Sequence, residues 1–330
     1  MFKGKKILIT GGTGSLGQAL TKRLLEQNPE QIRIFSRNEL KQIEMESKFS
    51  DSRLRFLIGD IRDLDRLVRA TEDVDIVFHA AALKHVDKVE YNPFEAIKTN
   101  VDGSQNVIES CLRNHVEKAI CIGTDKAVSP LNTYGATKLL MEKLFTSAIH
   151  YSNPKKYPTK FLAVRYGNVF ASSGSVIPKF VQQIKNNQKI TITDPNMTRF
   201  SITMDDALNF ILKATEIGQG SEIFVPKLKS YSIELIKDAL FEIFEDTGSE
   251  IIGIRPGEKL HEVLINRDEI RKTWEVENLY MIPNLYSTKN EIMSTYDNPT
   301  QLENMTFYSS ENAERMTKDE LKNIIRNYIA

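Results

Sequence analysis

The chain has 330 residues, 44 Lys plus Arg against 44 Asp plus Glu, five His and two Cys. That length suits one fold with an attached lobe and an ample core, and the even charge offers no basic surplus for nucleic acid or an anionic membrane. Cys111 and Cys121 are too few for a disulfide framework or zinc site, no histidine spacing suggests a metal, and a reducing cytoplasm is the simplest setting. The first apolar run is short and ends in glycines, unlike a signal peptide, and no apolar stretch reaches membrane length.

Residues 5–10 form an apolar run that ends in Gly11-Gly12-Thr13-Gly14-Ser15-Leu16-Gly17, after which Ala19, Leu20, Leu24 and Leu25 recur at helical spacing. This is strand, glycine turn, helix. Glycines at 11, 14 and 17 permit a tight turn and close approach to a pyrophosphate, and the helix N-terminus offers N–H donors to the anion. The next strand, 32–35, ends in Ser36-Arg37 where an acidic residue would suit the ribose of NAD. Arg37 instead suits a 2′-phosphate, which favours NADP over NAD; the alternative is a solvated Arg37 with Glu39 on the ribose. A third strand, 54–58, runs into Gly59-Asp60-Ile61, where Asp60 either faces an adenine amino group or caps a helix.

A buried strand at 74–78 empties into His79-Ala80-Ala81-Ala82-Leu83-Lys84-His85. The small residues let a cofactor lie against the chain, Lys84 and His85 can reach ribose or substrate, and His79 reads as a packed core histidine. Pro93 opens a helix reaching Ile108, with Asn100 on its inner part. A fifth strand, 119–122, delivers Thr124, Asp125 and Lys126 to its carboxyl end, where ligands of open parallel sheets sit. The helix 133–149 then carries Tyr134 and Lys138 one turn apart. An ammonium beside a phenol favours phenolate, lowering the tyrosine from its reference of about 10. A second Tyr-x-x-x-Lys at Tyr151 and Lys155 is interrupted by Asn153-Pro154 and reads as chance.

A sixth strand at 161–165 completes an alternation of strands and helices that predicts an α/β fold, a Rossmann-type doubly wound parallel sheet with a smaller C-terminal substrate-binding lobe. Residues 1–166 make the sheet domain, with 200–226 returning to it, and 167–330 mainly the lobe. Arg199 and Arg255 can grip a diphosphate in bidentate fashion, or form surface ion pairs. The stretch 272–312 is polar and carries no clear pattern.

Gly11-x-x-Gly14-x-x-Gly17, Tyr134-x-x-x-Lys138 and Arg165-Tyr-Gly-Asn168 together resemble the extended short-chain dehydrogenase/reductase family. More narrowly, Phe35-Ser-Arg37, His79 to His85, Thr124-Asp-Lys-Ala-Val-Ser-Pro130, Gly174-Ser-Val-Ile-Pro178, Met197-Thr-Arg-Phe200 and Arg255-Pro-Gly-Glu-Lys-Leu-His-Glu262 look like configuration-inverting UDP-N-acetylglucosamine 4,6-dehydratases of the pseudaminic acid and capsule type. The capsule subgroup often has methionine at the Tyr134 position, whereas Asp194-Pro195-Asn196 looks more like that subgroup, so the pathway stays open.

The resemblance implies a tightly held, regenerated NADP contacted by Gly11, Thr13, Gly14, Ser15, Leu16, Gly17, Ser36, Arg37, Asp60, Ile61, Ala80, Ala81, Ala82, Lys84, Asn100, Tyr134 and Lys138. It implies a UDP-sugar held by His85, Asn168, Gly174, Ser175, Val176, Arg199, Arg255 and Glu258, and catalysis by Thr124, Asp125, Lys126, Tyr134 and Lys138. Tyr134 would take the 4-hydroxyl proton, Lys126 as neutral amine the carbon 5 proton, and protonated Asp125 would serve the leaving 6-hydroxyl. A homo-oligomer, dimer or hexamer, is also implied. A 4-epimerase needs no such acid and base pair, and a non-catalytic nucleotide-binding protein needs neither; a solvated ion pair at a strand end is the plainer reading of Asp125-Lys126.

Overall fold

The computed structural model describes residues 1–150, 156, 158–170 and 176–329. Tyr151, Lys155, Gly174 and Ser175 lie outside them. The first half of the chain alternates β1 (Lys6–Thr10), α1 (Ser15–Leu25), β2 (Gln31–Ser36), α2 (Glu39–Phe49), β3 (Leu54–Ile58), α3 (Leu64–Thr71) and β4 (Ile76–His79). Short helices α4 (Val86–Tyr91) and α5 (Pro93–Ala96) lead through a π-turn at Ile97–Asp102 into α6 (Gly103–Arg113), then β5 (Lys118–Ile122), α7 (Thr133–Ser147) and β6 (Lys160–Val164). The helix expected from Pro93 is therefore interrupted, and Asn100 sits in its widened turn.

Among the described residues, Asn168–Val169 forms β7, Val176–Lys185 α8, Ile190–Ile192 β8, Thr198–Ile202 β9, Met204–Ile217 α9, Ile223–Pro226 β10, Ser230–Ser232 β11 and Ile233–Phe241 α10. After these come β12 (Ser249–Ile251), β13 (Val263–Ile265), β14 (Trp274–Val276), β15 (Leu279–Ile282), α11 (Lys289–Thr295), β16 (Thr300–Gln301), β17 (Tyr308–Ser309) and α12 (Lys318–Ile329). The main sheet runs β16-β14-β15-β10-β6-β5-β4-β1-β2-β3. It is parallel from β10 to β3 and antiparallel from β10 outward. Residues 274–282, assigned from sequence to the lobe or left open, thus extend the sheet.

Side chains alternate along each central strand, so a parallel sheet covered on both sides must be apolar on both. Leu8, Ala119 and Cys121 face one core with Leu67, Val107 and Phe145 from α3, α6 and α7. Ile7, Ile9, Ile120 and Ile122 face the other with Leu20, Met45 and Ile211 from α1, α2 and α9. Each such side chain contributes about 1.5–3 kcal/mol on burial. The lobe has its own core, from Phe180, Ile184, Ile236, Leu240, Leu321 and Ile325.

Arg165 fastens the segment 264–269 to β6 and α7. Fully buried, it forks onto Glu142 of α7 at 2.5 and 3.0 Å, reaches Glu269 twice at 2.9 Å and donates to the Leu264 carbonyl at 2.7 Å. No helix among the described residues is long and apolar enough to cross a membrane.

Candidate active site

The carboxyl ends of β1 to β6 share one edge, and the sequence places glycines or polar residues at each. Gly11 has φ +71°, and a Cβ there would lie 2.9 Å from Ala81 Cα; one on Gly17 would lie 2.5 Å from the Gly12 carbonyl. Gly14 caps α1 without a side-chain hydrogen bond, and the first turn carries no acidic residue. Tight backbone, open N–H donors and absent negative charge fit a nucleotide diphosphate. Thr13 is buried, Ser15 is exposed at the helix start, and Leu16 packs on the core. Ala80, Ala81 and Ala82 are half-buried beside them.

At the far end of this cradle, Arg37 is exposed with Nη1 3.7 Å from Asp60 Oδ2, and Glu39 is exposed in the first turn of α2. Asp60 caps no helix: Asp63 caps α3, while Asp60 accepts from the Arg62 backbone N–H at 2.9 Å and the Arg62 guanidinium at 2.7 and 2.9 Å. Ser36 Oγ accepts from Gln42 at 3.0 Å. Ile61 turns its side chain into the core against Gly103. Lys84 and His85 are exposed ahead of α4. His79 is fully buried between Thr10 Oγ1 at 2.7 Å and Ser104 Oγ at 3.0 Å, stacked on Phe145, and burial holds it neutral down to about 3.

Asn100 is a brace. Its amide accepts from Leu83 N–H at 2.8 Å and donates to the Leu83 carbonyl at 3.1 Å and Thr137 Oγ1 at 3.0 Å. These bonds join the alanine loop to α7.

Thr124, Asp125 and Lys126 come together with Tyr134 and Asn168. Thr124 Oγ1 donates to Asp125 Oδ1 at 2.9 Å, and Lys126 Nζ donates to the same oxygen and to Asn168 Oδ1, each at 3.0 Å. Asp125 is fully buried and its Oδ2 has no hydrogen-bond partner among the described residues. Asn132 caps α7 by accepting from Gly135 N–H at 2.8 Å and donates to the Gly257 carbonyl at 3.0 Å. A Cβ on Gly135 would lie 2.4 Å from the Lys126 carbonyl, so only glycine lets α7 approach the Asp125–Ala127 turn.

Two expectations about charge are corrected. Lys138 Nζ donates to the Ile122 carbonyl at 2.6 Å, with Met141 Sδ at 3.1 Å, and the cation acting on Tyr134 is Lys126. Burial pushes the Tyr134 phenol up despite Lys126 and a hydrogen bond to Thr124. Lys126 is not lowered either: burial opposes its charge, but Asp125 and Glu262 outweigh it and hold the ammonium well above its ordinary value.

Glu262 is the group that sequence reading missed. It is 5% exposed, lies with Oε1 3.8 Å from Arg199 Nε, and leaves Oε2 without a partner among the described residues. Burial and the Asp125 charge raise it. Arg199 is buried against the Thr198 and Leu260 carbonyls at 2.8 and 3.2 Å, while Arg255 is exposed on a turn where Glu258 N–H donates to its carbonyl at 3.1 Å. Val176 opens α8, whose Lys179 is depressed by burial and by Arg255.

The model of the family described as polysaccharide biosynthesis protein matches residues 7–284. The chain belongs to the polysaccharide biosynthesis protein family. This member is 51% identical, over 86% of the chain and 84% of the relative, to a UDP-N-acetylglucosamine 4,6-dehydratase (inverting) of Campylobacter jejuni. It is 41% identical, over 99% and 97%, to a UDP-glucose 4-epimerase of Rickettsia bellii. Its fold superposes on Pen from Bacillus thuringiensis with a TM-score of 0.90 and 41% identity, over 99% and 98% of the two chains.

Proposed function

We propose that the protein is a UDP-N-acetylglucosamine 4,6-dehydratase that inverts carbon 5, giving a 4-keto-6-deoxy sugar for bacterial surface polysaccharides. The observation that carries this is the Asp125–Lys126 pair, 3.0 Å apart, one carboxylate oxygen idle, beside Tyr134. An epimerase has no use for it. A nicotinamide cofactor, when bound in the glycine cradle, supplies the chemistry of accepting hydride from carbon 4 and returning it to carbon 6. Arg37 at the ribose end favours NADP.

Tyr134 takes the 4-hydroxyl proton, the Lys126 ammonium beside it favouring the phenolate. Ketone formation at carbon 4 acidifies carbon 5, and Lys126, having passed its own proton to Asp125 along their 3.0 Å hydrogen bond, removes the carbon 5 proton. Asp125 delivers the proton it received to the 6-hydroxyl, which leaves as water, and carbon 5 regains a proton from water on the face opposite Lys126, which inverts it. Asn168 fixes the direction of Lys126, and Lys138 holds α7 to β5 behind Tyr134. Arg255 and Lys179 place positive charge where a diphosphate would lie. Exposed Phe94 and Leu140, on α5 and α7, supply apolar surface for subunits to pair.

Mass spectrometry of the protein incubated with UDP-N-acetylglucosamine tests the reading. A product lighter by one water is expected; an isobaric product would favour the epimerase reading, which the Rickettsia relative keeps in play.

A further inference from the structure

The arrangement around Lys126 poses a charge problem. A base at carbon 5 must be a neutral amine, yet Asp125 holds this ammonium at 3.0 Å and the charge of buried Glu262 favours it as well. Glu262 is held rigidly by its backbone: its N–H donates to Ser310 Oγ at 2.8 Å, and nearby Lys259 donates to the Val128 carbonyl at the end of the catalytic turn. Its carboxylate is otherwise little used. Oε1 faces Arg199 at 3.8 Å, beyond hydrogen-bond range, and Oε2 is buried and idle, as is Asp125 Oδ2. A carboxylate kept for stability would have both oxygens satisfied. The charges acting on Glu262 are Asp125 and Lys126 of the catalytic turn, Arg199 of β9 and Lys259 of its own segment.

We propose that Glu262 is a positioning residue for the dehydration step: its buried charge, added to that of Asp125, governs when Lys126 becomes free to act as base. This rests on the dehydratase reading. Burial and the Asp125 charge disfavour a charged Glu262, which can therefore take up a proton that the site releases.

The test does not need substrate. Trace acetic anhydride modifies only neutral amines, and the Lys126 side chain is 26% exposed, so its labelling relative to exposed Lys41, read by mass spectrometry, reports its neutral fraction. Glu262→Gln removes one negative charge at nearly constant volume and should raise Lys126 labelling about tenfold, equivalent to about one pKa unit. Glu262→Ala, a second charge-removing variant, should do the same, and Glu262→Asp should stay close to wild type. Equal labelling of Lys126 in wild type and in the folded Gln or Ala variant would overturn the proposal. In parallel, the rising limb of carbon 5 exchange against pH should move about one unit lower in Glu262→Gln; a profile scaled without moving would mean a purely structural role. Failure of the wild type to dehydrate UDP-N-acetylglucosamine would sink the dehydratase reading, while the labelling would still decide the relation of Glu262 to Lys126.

Discussion

Lys138 donates from its ammonium to the carbonyl of Ile122, 2.6 Å away, and so ties the helix that carries Tyr134 to the end of the strand that leads into Asp125. The usual inference from a Tyr-x-x-x-Lys spacing, a cation resting against the phenol, is met here by Lys126 instead. Lys138→Met would leave a buried carbonyl without its donor and should cost about 1–3 kcal/mol in denaturant unfolding. Lys126→Met should abolish carbon 5 exchange and, because it leaves buried Asp125 without its cation, should also lower stability, by about 3–5 kcal/mol.

Gly11 cannot accept a side chain. Its φ of +71° and the 2.9 Å approach of a Cβ to Ala81 Cα mean that Gly11→Ala must displace the alanine loop. The variant should lose bound nucleotide on purification, measured by chromatography of the supernatant after denaturation, while its helical circular dichroism stays close to wild type.

The proposal of NADP rests on Arg37. Exposed and loosely paired with Asp60 at 3.7 Å, its guanidinium is available to a 2′-phosphate. Arg37→Ala should weaken NADP binding about tenfold or more, the worth of a charge-assisted contact, with little effect on NAD. Equal losses for both dinucleotides in equilibrium titration would remove the argument for NADP.

His79 should make the fold acid-sensitive. Its pKa falls from about 6.5 unfolded to about 3 folded, so the unfolded chain binds the proton first and stability is lost as pH falls below the unfolded value. Between about pH 7 and about pH 5 this one group should remove about 2 kcal/mol, absent from the slope of His79→Gln. Denaturant unfolding at the two pH values measures it.

Much of the sheet can be read from the chain because each central strand is a short apolar run that stops at glycine or a polar residue, as Ile7 to Gly11 and Ala119 to Gly123 do. The outer strands are different. Thr300–Gln301 is two residues long and pairs with Trp274 and Glu275, so its register is set by a distant partner and leaves no periodicity. At the site, spacing places Tyr134 and Lys138 on one helical face, but only the position of β5 shows where the ammonium turns. Glu262 closes the Arg255 to Glu262 motif, but nothing in the spacing assigns it a role. What distinguishes it is the catalytic turn packed against it, half a chain away.

The most direct measurement is proton NMR of the purified protein with UDP-N-acetylglucosamine in heavy water, without added reductant. A 6-deoxy methyl signal with deuterium at carbon 5, and ring couplings of the inverted sugar, is the predicted result. Appearance of the galacto epimer alone, with carbon 5 still carrying its original hydrogen, would contradict it.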